Sequence, residues 1–137
     1  MLIEPLDPKR APEAIALWHG VGLTRPWNDP RADLGRALAS SSSAVLAGTR
    51  DGDLIATAIV GHDRHRGWVY YLAVTPDARR AGCGRELMRA CEAWLRERSI
   101  PKVNLMVRDD NREVQQFYRE IGYAADAVIV LSRRLDR

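Results

Sequence analysis

Long apolar runs are missing from this chain of 137 residues. Without about 18 to 20 consecutive apolar positions no helix crosses a bilayer, so no membrane partner is expected. Cysteine is scarce. Cys83 lies in a glycine-bearing stretch and Cys91 in the helical pattern directly behind it, which fits neither a disulfide scaffold nor a zinc ligand set. Strong charge of one sign is also missing: a net charge of +3 with both signs interspersed permits acidic partners but does not argue for nucleic acid. The opening MLIEPLDPKR has neither the basic start nor the long apolar core of a secretory signal, so a cytoplasmic location is expected. There is no repeat and no low-complexity tract beyond the serines at 40–43. His62 and His65 share a polar loop without a nearby third ligand, and no metal is expected.

What is present is an ordinary globular composition, 46% hydrophobic and 28% charged, at a length that implies a single domain over residues 1–137. The informative stretch is Tyr70 to Arg89, YYLAVTPDARRAGCGRELMR. The apolar run Val69 to Val74 reads as a buried strand that Pro76 ends, and a basic, glycine-bearing turn then opens into an amphipathic helix. The first turn of a helix leaves backbone N–H groups without partners, and its dipole places about half a positive charge there. Gly82 and Gly84 lack the Cβ atoms that would hold a ligand off the backbone, while Arg79, Arg80 and Arg85 add mobile positive charge. Such a loop suits a pyrophosphate or several phosphates, as carried by a nucleotide or by coenzyme A. No Lys-Ser or Lys-Thr follows the glycines, which excludes the Walker A loop, and Gly82-Cys83-Gly84 is a poor match to the dinucleotide fingerprint GxGxxG.

The rest of the chain reads as alternating elements. Met1 to Leu6 is a short first strand. A helix with Pro12 in its first turn carries Ile15 and Trp18 and ends near Gly20, and a second has Asp29 as N-cap, Pro30 at its first position, and Leu34, Ala37 and Leu38 on one face. Ala44 to Thr49 and Leu54 to Val60 form a hairpin through Asp51-Gly52. Leu87, Met88, Cys91, Trp94 and Leu95 form the apolar face of the helix after the glycine loop. Lys102 to Val107 reads as a strand. Asp110 and Glu113 have capping-box spacing before a helix with Val114, Phe117, Tyr118 and Ile121 on its buried face, Gly122 ends it, and Ala127 to Leu131 reads as a last strand. This is an α/β (α+β) pattern: a mixed sheet with helices on both faces.

Val74-Thr75-Pro76 followed by Arg79-Arg80-Ala81-Gly82-Cys83-Gly84 resembles the acyl-CoA motif of the GNAT superfamily of N-acetyltransferases, a V-x-P turn and then [Q/R]-x-x-G-x-[G/A] into a helix. Asn111 to Tyr118, then Gly122-Tyr123, looks like the family's N-x-x-A-x-x-[LF]-Y-x-x-x-G-[FY], with Val114 in place of the usual Ala. The RPWNDP loop and the central strand are also similar to a small bacterial branch called YpeA-like. The resemblance implies the GNAT fold and acetyl-CoA as cosubstrate, with an amine-bearing small molecule or peptide as acceptor. It implies cofactor binding by Leu72, Ala73, Val74, Arg79, Arg80, Gly82, Cys83, Gly84 and Arg85. Asn111 either contacts the cofactor or only caps its helix. Tyr118 matches the family's general acid, while helical spacing alone reads it as core.

A general base is not evident, because Trp68 to Thr75 and Val103 to Val107 contain no carboxylate. Asp63, His65 and Asp29, directly or through water, are the candidates. Trp27 and one of Tyr70 and Tyr71 are candidates to line an acceptor pocket, since strand alternation puts only one of those tyrosines on a given face. The acceptor's identity and the oligomeric state are open, a homodimer included. The alternative function is an acyl-CoA-binding regulatory module without efficient catalysis.

Overall fold

The computed structural model describes residues 1–79 and 81–137; Arg80, one of the arginines expected at the phosphate loop, lies outside the described residues. The chain falls into two compact units, Met1–Met106 and Val107–Arg137.

In the first unit β1 (Leu2–Pro5) is followed by a 3-10 turn, α1 (Ala11–Gly20), α2 (Pro30–Ala39), β2 (Ser43–Arg50), β3 (Asp53–His62), β4 (Gly67–Val74), a second 3-10 turn at Pro76–Ala78, α3 (Cys83–Arg96) and β5 (Val103–Asn104). The strands form one sheet in sequence order, antiparallel from β1 to β4 and parallel between β4 and β5. The expected mixed α/β sheet is therefore present. Local chemistry explains the boundaries. Asp29 accepts bonds from the Arg31 and Ala32 amides at the head of α2, and Pro30 opens that helix, where its missing N–H costs nothing. Asp51 and Gly52 both have positive φ, 53° and 83°, which joins β2 to β3 in the manner of a type I′ hairpin turn.

Alternation divides the core between the two faces of the sheet. On one face Trp18, Ala14 and Ile15 of α1 and Leu34 and Ala37 of α2 pack with Val45, Ala47, Ile59 and Ala73. On the other lies α3, whose Leu87, Met88, Cys91 and Leu95 are buried. A Cβ on Gly67 would stand 2.5 Å from a Leu95 methyl, so only glycine lets α3 approach the start of β4 this closely. Trp94, expected on the buried face, is only half-buried and lies under the Arg98 guanidinium, 3.7 Å from the ring centroid. No described helix is long and apolar enough to cross a membrane.

One strand is shorter than its sequence suggests. The expected run from Lys102 to Val107 pairs only at Val103 and Asn104, opposite Gly67 and Trp68. Beyond Trp68 no strand is paired to the outer edge of β4 among the described residues, and a strand ends where its ladder ends.

In the second unit α4 spans Arg112–Glu120. Its N-cap is Asn111, whose Oδ1 accepts from the Val114 amide at 3.2 Å; the capping box expected from Asp110 and Glu113 is one residue out of phase. Gly122, at φ 101°, terminates the helix, and the Tyr123 amide bonds back to the Tyr118 carbonyl at 2.9 Å. Ala127 to Leu131, expected as a last strand, joins no ladder among the described residues, and Val128 to Leu131 are 63–85% exposed. High β propensity describes a fit to a half-buried surface; without a neighbouring strand it does not make one.

Candidate active site

Between β4 and α3 the chain passes through Thr75-Pro76-Asp77-Ala78-Arg79 and then Ala81-Gly82. Gly82 is the N-cap of α3 at φ 81°, with no side-chain cap bond. The helical ladder begins with the Glu86 amide on the Gly82 carbonyl, so the amides of the first turn, at Cys83, Gly84 and Arg85, precede the first intrahelical bond. A Cβ at Gly82 would meet nothing within 4 Å. The left-handed backbone favours glycine there, and the open space in front of it is room for a ligand. Arg85 and Arg79 are exposed; the Arg79 Nε–H reaches the Val74 carbonyl at 3.4 Å. Cys83 is buried beneath the loop, and the Arg50 guanidinium from the end of β2 approaches its Sγ at 3.6 Å. The sequence gives no hint of Arg50, which only the folding of the sheet brings to this place. An uncapped helix start, a glycine cradle and nearby guanidinium groups form a donor set that fits phosphate oxygens.

The strand that enters this loop is irregular. Between the pairs Ile59 with Tyr70 and Thr57 with Ala73, β3 contributes one residue, Ala58, and β4 contributes two, Tyr71 and Leu72. The extra residue makes a β-bulge, and Tyr71 takes φ 52°, which costs a residue with a Cβ about 1–2 kcal/mol. The bulge overturns the expected alternation. Tyr70 lies opposite Ile59, a member of the core cluster that contains Trp18, and Tyr71 packs on that same cluster. Both tyrosines therefore face the α1/α2 side. Tyr70 is 45% exposed and stacks with Trp68, and partial burial pushes its phenol up. Trp27, in the loop before α2, is also exposed.

Tyr71 is held at several points. Its ring stacks on Trp18 with centroids 4.0 Å apart. Its hydroxyl donates to Asp33 Oδ2 on α2 at 2.6 Å. Its carbonyl accepts from the Thr57 hydroxyl at 3.2 Å, and that hydroxyl accepts from the Trp18 indole N–H at 2.8 Å. Desolvation, then the Asp33 carboxylate, raise the Tyr71 phenol well above its ordinary value. Thr57 is fully buried; a polar residue inside the apolar run Leu54 to Val60 was the one available signal of this network.

Two of the three candidate bases, Asp63 and Asp29, serve local structure. Asp63 Oδ1 accepts from the His65 and Arg66 amides at 2.9 and 2.7 Å, and the Arg66 amide, then that of His65, hold its carboxyl below the usual range. Asp29 is spent on capping α2, and His65 is exposed in the loop. Leu72, Ala73 and Val74 lie on the stretch of β4 that β5 leaves unpaired.

In the second unit Tyr118 is buried on α4, edge-on to Phe117 and Tyr123 at 5.0 and 5.6 Å. Asn111 caps that helix. Cys83 and Cys91 are both free and buried, and burial pushes the Cys91 thiol up to about 12.

Residues 13–123 match the Acetyltransferase (GNAT) family. An acetyltransferase of Sodalis glossinidius is 40% identical over 124 residues, covering 90% of this chain and 87% of its own length. One from Yersinia pestis is 39% identical over 123 residues, with the same coverage. Among solved structures, the aminoglycoside N-acetyltransferase AAC(6')-Iy, in complex with the bisubstrate analogue CoA-S-monomethyl-acetylneamine, superposes with a TM-score of 0.83 at 17% identity, over 97% of each chain. At that identity the likeness speaks for the fold alone. The chain belongs to the GNAT acetyltransferase family. It is an acetyltransferase.

Proposed function

We propose that residues 1–137 act as one catalytic domain that transfers the acetyl group of acetyl-CoA directly to a primary amine. The observation that carries this reading is the succession, in one segment, of a bulged and half-unpaired strand and an uncapped helix N-terminus with a left-handed glycine. That a solved fold neighbour carries CoA supports it. The first-turn amides of α3 would take the pyrophosphate, with Arg79, Arg80, Arg85 and Arg50 supplying charge around it. Leu72 to Val74 would present backbone to the pantetheine arm and the thioester carbonyl, where one well-aimed donor to the developing oxyanion is worth about 3 kcal/mol.

In the reaction the amine nitrogen bonds to the acyl carbon, the carbon–sulfur bond breaks, and the amine proton is lost. Tyr118 donates a proton to the departing thiolate, whose conjugate thiol has a pKa of about 8 to 9. Asn111 serves as the N-cap that fixes the helix carrying Tyr118. The amine proton passes to His65 or to water, since Oδ1 of Asp29 and of Asp63 is engaged by backbone amides.

Replacing Tyr118 by Phe tests the acid role: kcat is expected to fall about 10²- to 10⁴-fold, with the dissociation constant for CoA unchanged. Equal loss of turnover and affinity, or loss of neither, removes Tyr118 from that role. The absence of a carboxylate on β4 or β5 favours a second reading, an acyl-CoA-binding module without efficient catalysis. Turnover with any amine eliminates it.

A further inference from the structure

We propose that Tyr71 is a positioning residue for acyl transfer: anchored to Asp33, Trp18 and Thr57, it holds the β4 bulge and so aims the backbone of Leu72 to Val74. The inference rests on the reading of that backbone as the thioester site. A tyrosine at φ 52° persists only where its surroundings over-determine it. Here the anchors come from three separate elements. Trp18 of α1 holds the ring from one face. Asp33 of α2 takes the hydroxyl. Thr57 of β3, itself fixed by the Trp18 indole, takes the carbonyl. Thr57 and Trp18 are fully buried, so these two supports are rigid.

The placement of this effort is informative. A strand paired on both sides keeps its direction through its ladders, but among the described residues β4 beyond Trp68 has a ladder only toward β3, and the bulge interrupts that one. Side chains take over what the missing hydrogen bonds would have done. The extra residue rotates the peptide planes that follow it, and hydrogen-bond donors to a transition state must be held to a fraction of an ångström.

Asp33 invites another interpretation, as the base the sequence lacks. Its carboxylate also pairs with Arg36, Oδ1 to Nη2 at 2.6 Å. With both oxygens engaged by donors it is a poor proton acceptor and a good anchor. The two roles separate on substitution, because an asparagine carbonyl still accepts from Tyr71 and takes up no proton at neutral pH.

The experiment compares Tyr71→Phe, Asp33→Ala and Asp33→Asn with the wild type. Each protein is read by amide ¹H–¹⁵N shifts in the ligand-free state, by CoA affinity in titration calorimetry, and by kcat with a polyamine, an amino sugar and a peptide bearing a free N-terminus. Tyr71→Phe and Asp33→Ala should shift the amides of residues 72–74, leave CoA affinity within about twofold, and lower kcat at least tenfold, whereas Asp33→Asn should retain most of the wild-type rate. Unmoved amides at 72–74 in a folded Tyr71→Phe protein overturn the proposal, as does an unchanged kcat. Loss of activity in Asp33→Asn equal to that in Asp33→Ala overturns it in favour of a base. If the wild type acetylates nothing in the panel, the proposed function is what fails, and the amide shifts still decide whether Tyr71 sets the strand.

Discussion

Two residues eleven positions apart on the β4–α3 segment share a left-handed backbone and reach it by opposite means. Tyr71, at φ 52°, is a large side chain forced into that region and tied down by α1, α2 and β3. Gly82, at φ 81°, enters it without strain, has no side-chain cap, and faces open space. Under the proposed function, the difference matches what each end would hold. A pyrophosphate is large, charged and tolerant of geometry, so orphan amides and flexible guanidinium groups suffice. A thioester carbonyl on its way to an oxyanion would need fixed donors, and that end of the segment is anchored by the buried Trp18 and Thr57 together with the half-buried Asp33.

The largest expected effect breaks the glycine end. Gly84→Glu puts a carboxylate among the amides that should receive phosphate. Wild-type protein with CoA or acetyl-CoA at 100 times the dissociation constant gains about 2.7 kcal/mol, visible as a rise in the thermal midpoint that the variant should lack. A rise that survives in Gly84→Glu would place the cofactor elsewhere. Next comes the tyrosine end. Thr57→Val keeps the shape of the side chain but leaves the buried Trp18 indole N–H without its acceptor, so urea unfolding should show a loss of about 1–3 kcal/mol. A smaller effect separates the two left-handed positions. Gly82→Ala should cost about 1 kcal/mol from backbone conformation alone, and Gly82→Asn less, because Asn tolerates that region. Equal costs would mean that crowding, not φ, selects glycine there.

The local parts of this arrangement were legible in the sequence because they are written in neighbouring residues. Asp29-Pro30 announces the start of α2, Asp51-Gly52 the hairpin, and the V-x-P turn with its glycines the loop. What was not legible depends on partners distant in the chain. Nothing near Arg50 indicates that it ends beside Cys83. In the sequence a period of two runs straight through Tyr70 and Tyr71, although one inserted residue turns both to the same face. Nothing in the sequence around Asp33 indicates that Tyr71, 38 residues later, donates to it. The segments at 102–107 and 127–131 read as full strands because propensity counts side chains, whereas a strand forms only with a neighbour to pair with. The capping box at Asp110 failed by one residue, since Asn111 offers an equally good acceptor closer to the helix.

The smallest effect tests whether Tyr71 is anchored through its neutral phenol. Its folded pKa lies above the ordinary value because of desolvation and the Asp33 carboxylate, whereas in the unfolded chain a tyrosine titrates near 10. Below that pH both states hold the proton, and the stability linked to it is fully present. As pH rises through about 10 the unfolded state releases its proton first, so it binds fewer protons than the native state and stability declines toward the folded value. Urea midpoints measured between pH 8 and 11 should therefore fall more steeply for wild type than for Tyr71→Phe, which has no phenol to ionise. The two proteins should converge as pH rises, the variant being the weaker at pH 8 where the bond to Asp33 is intact in the wild type. Parallel curves would mean that the hydroxyl is not bonded to Asp33 in solution, and that the ring stacked on Trp18 and the carbonyl bonded to Thr57 hold the bulge alone.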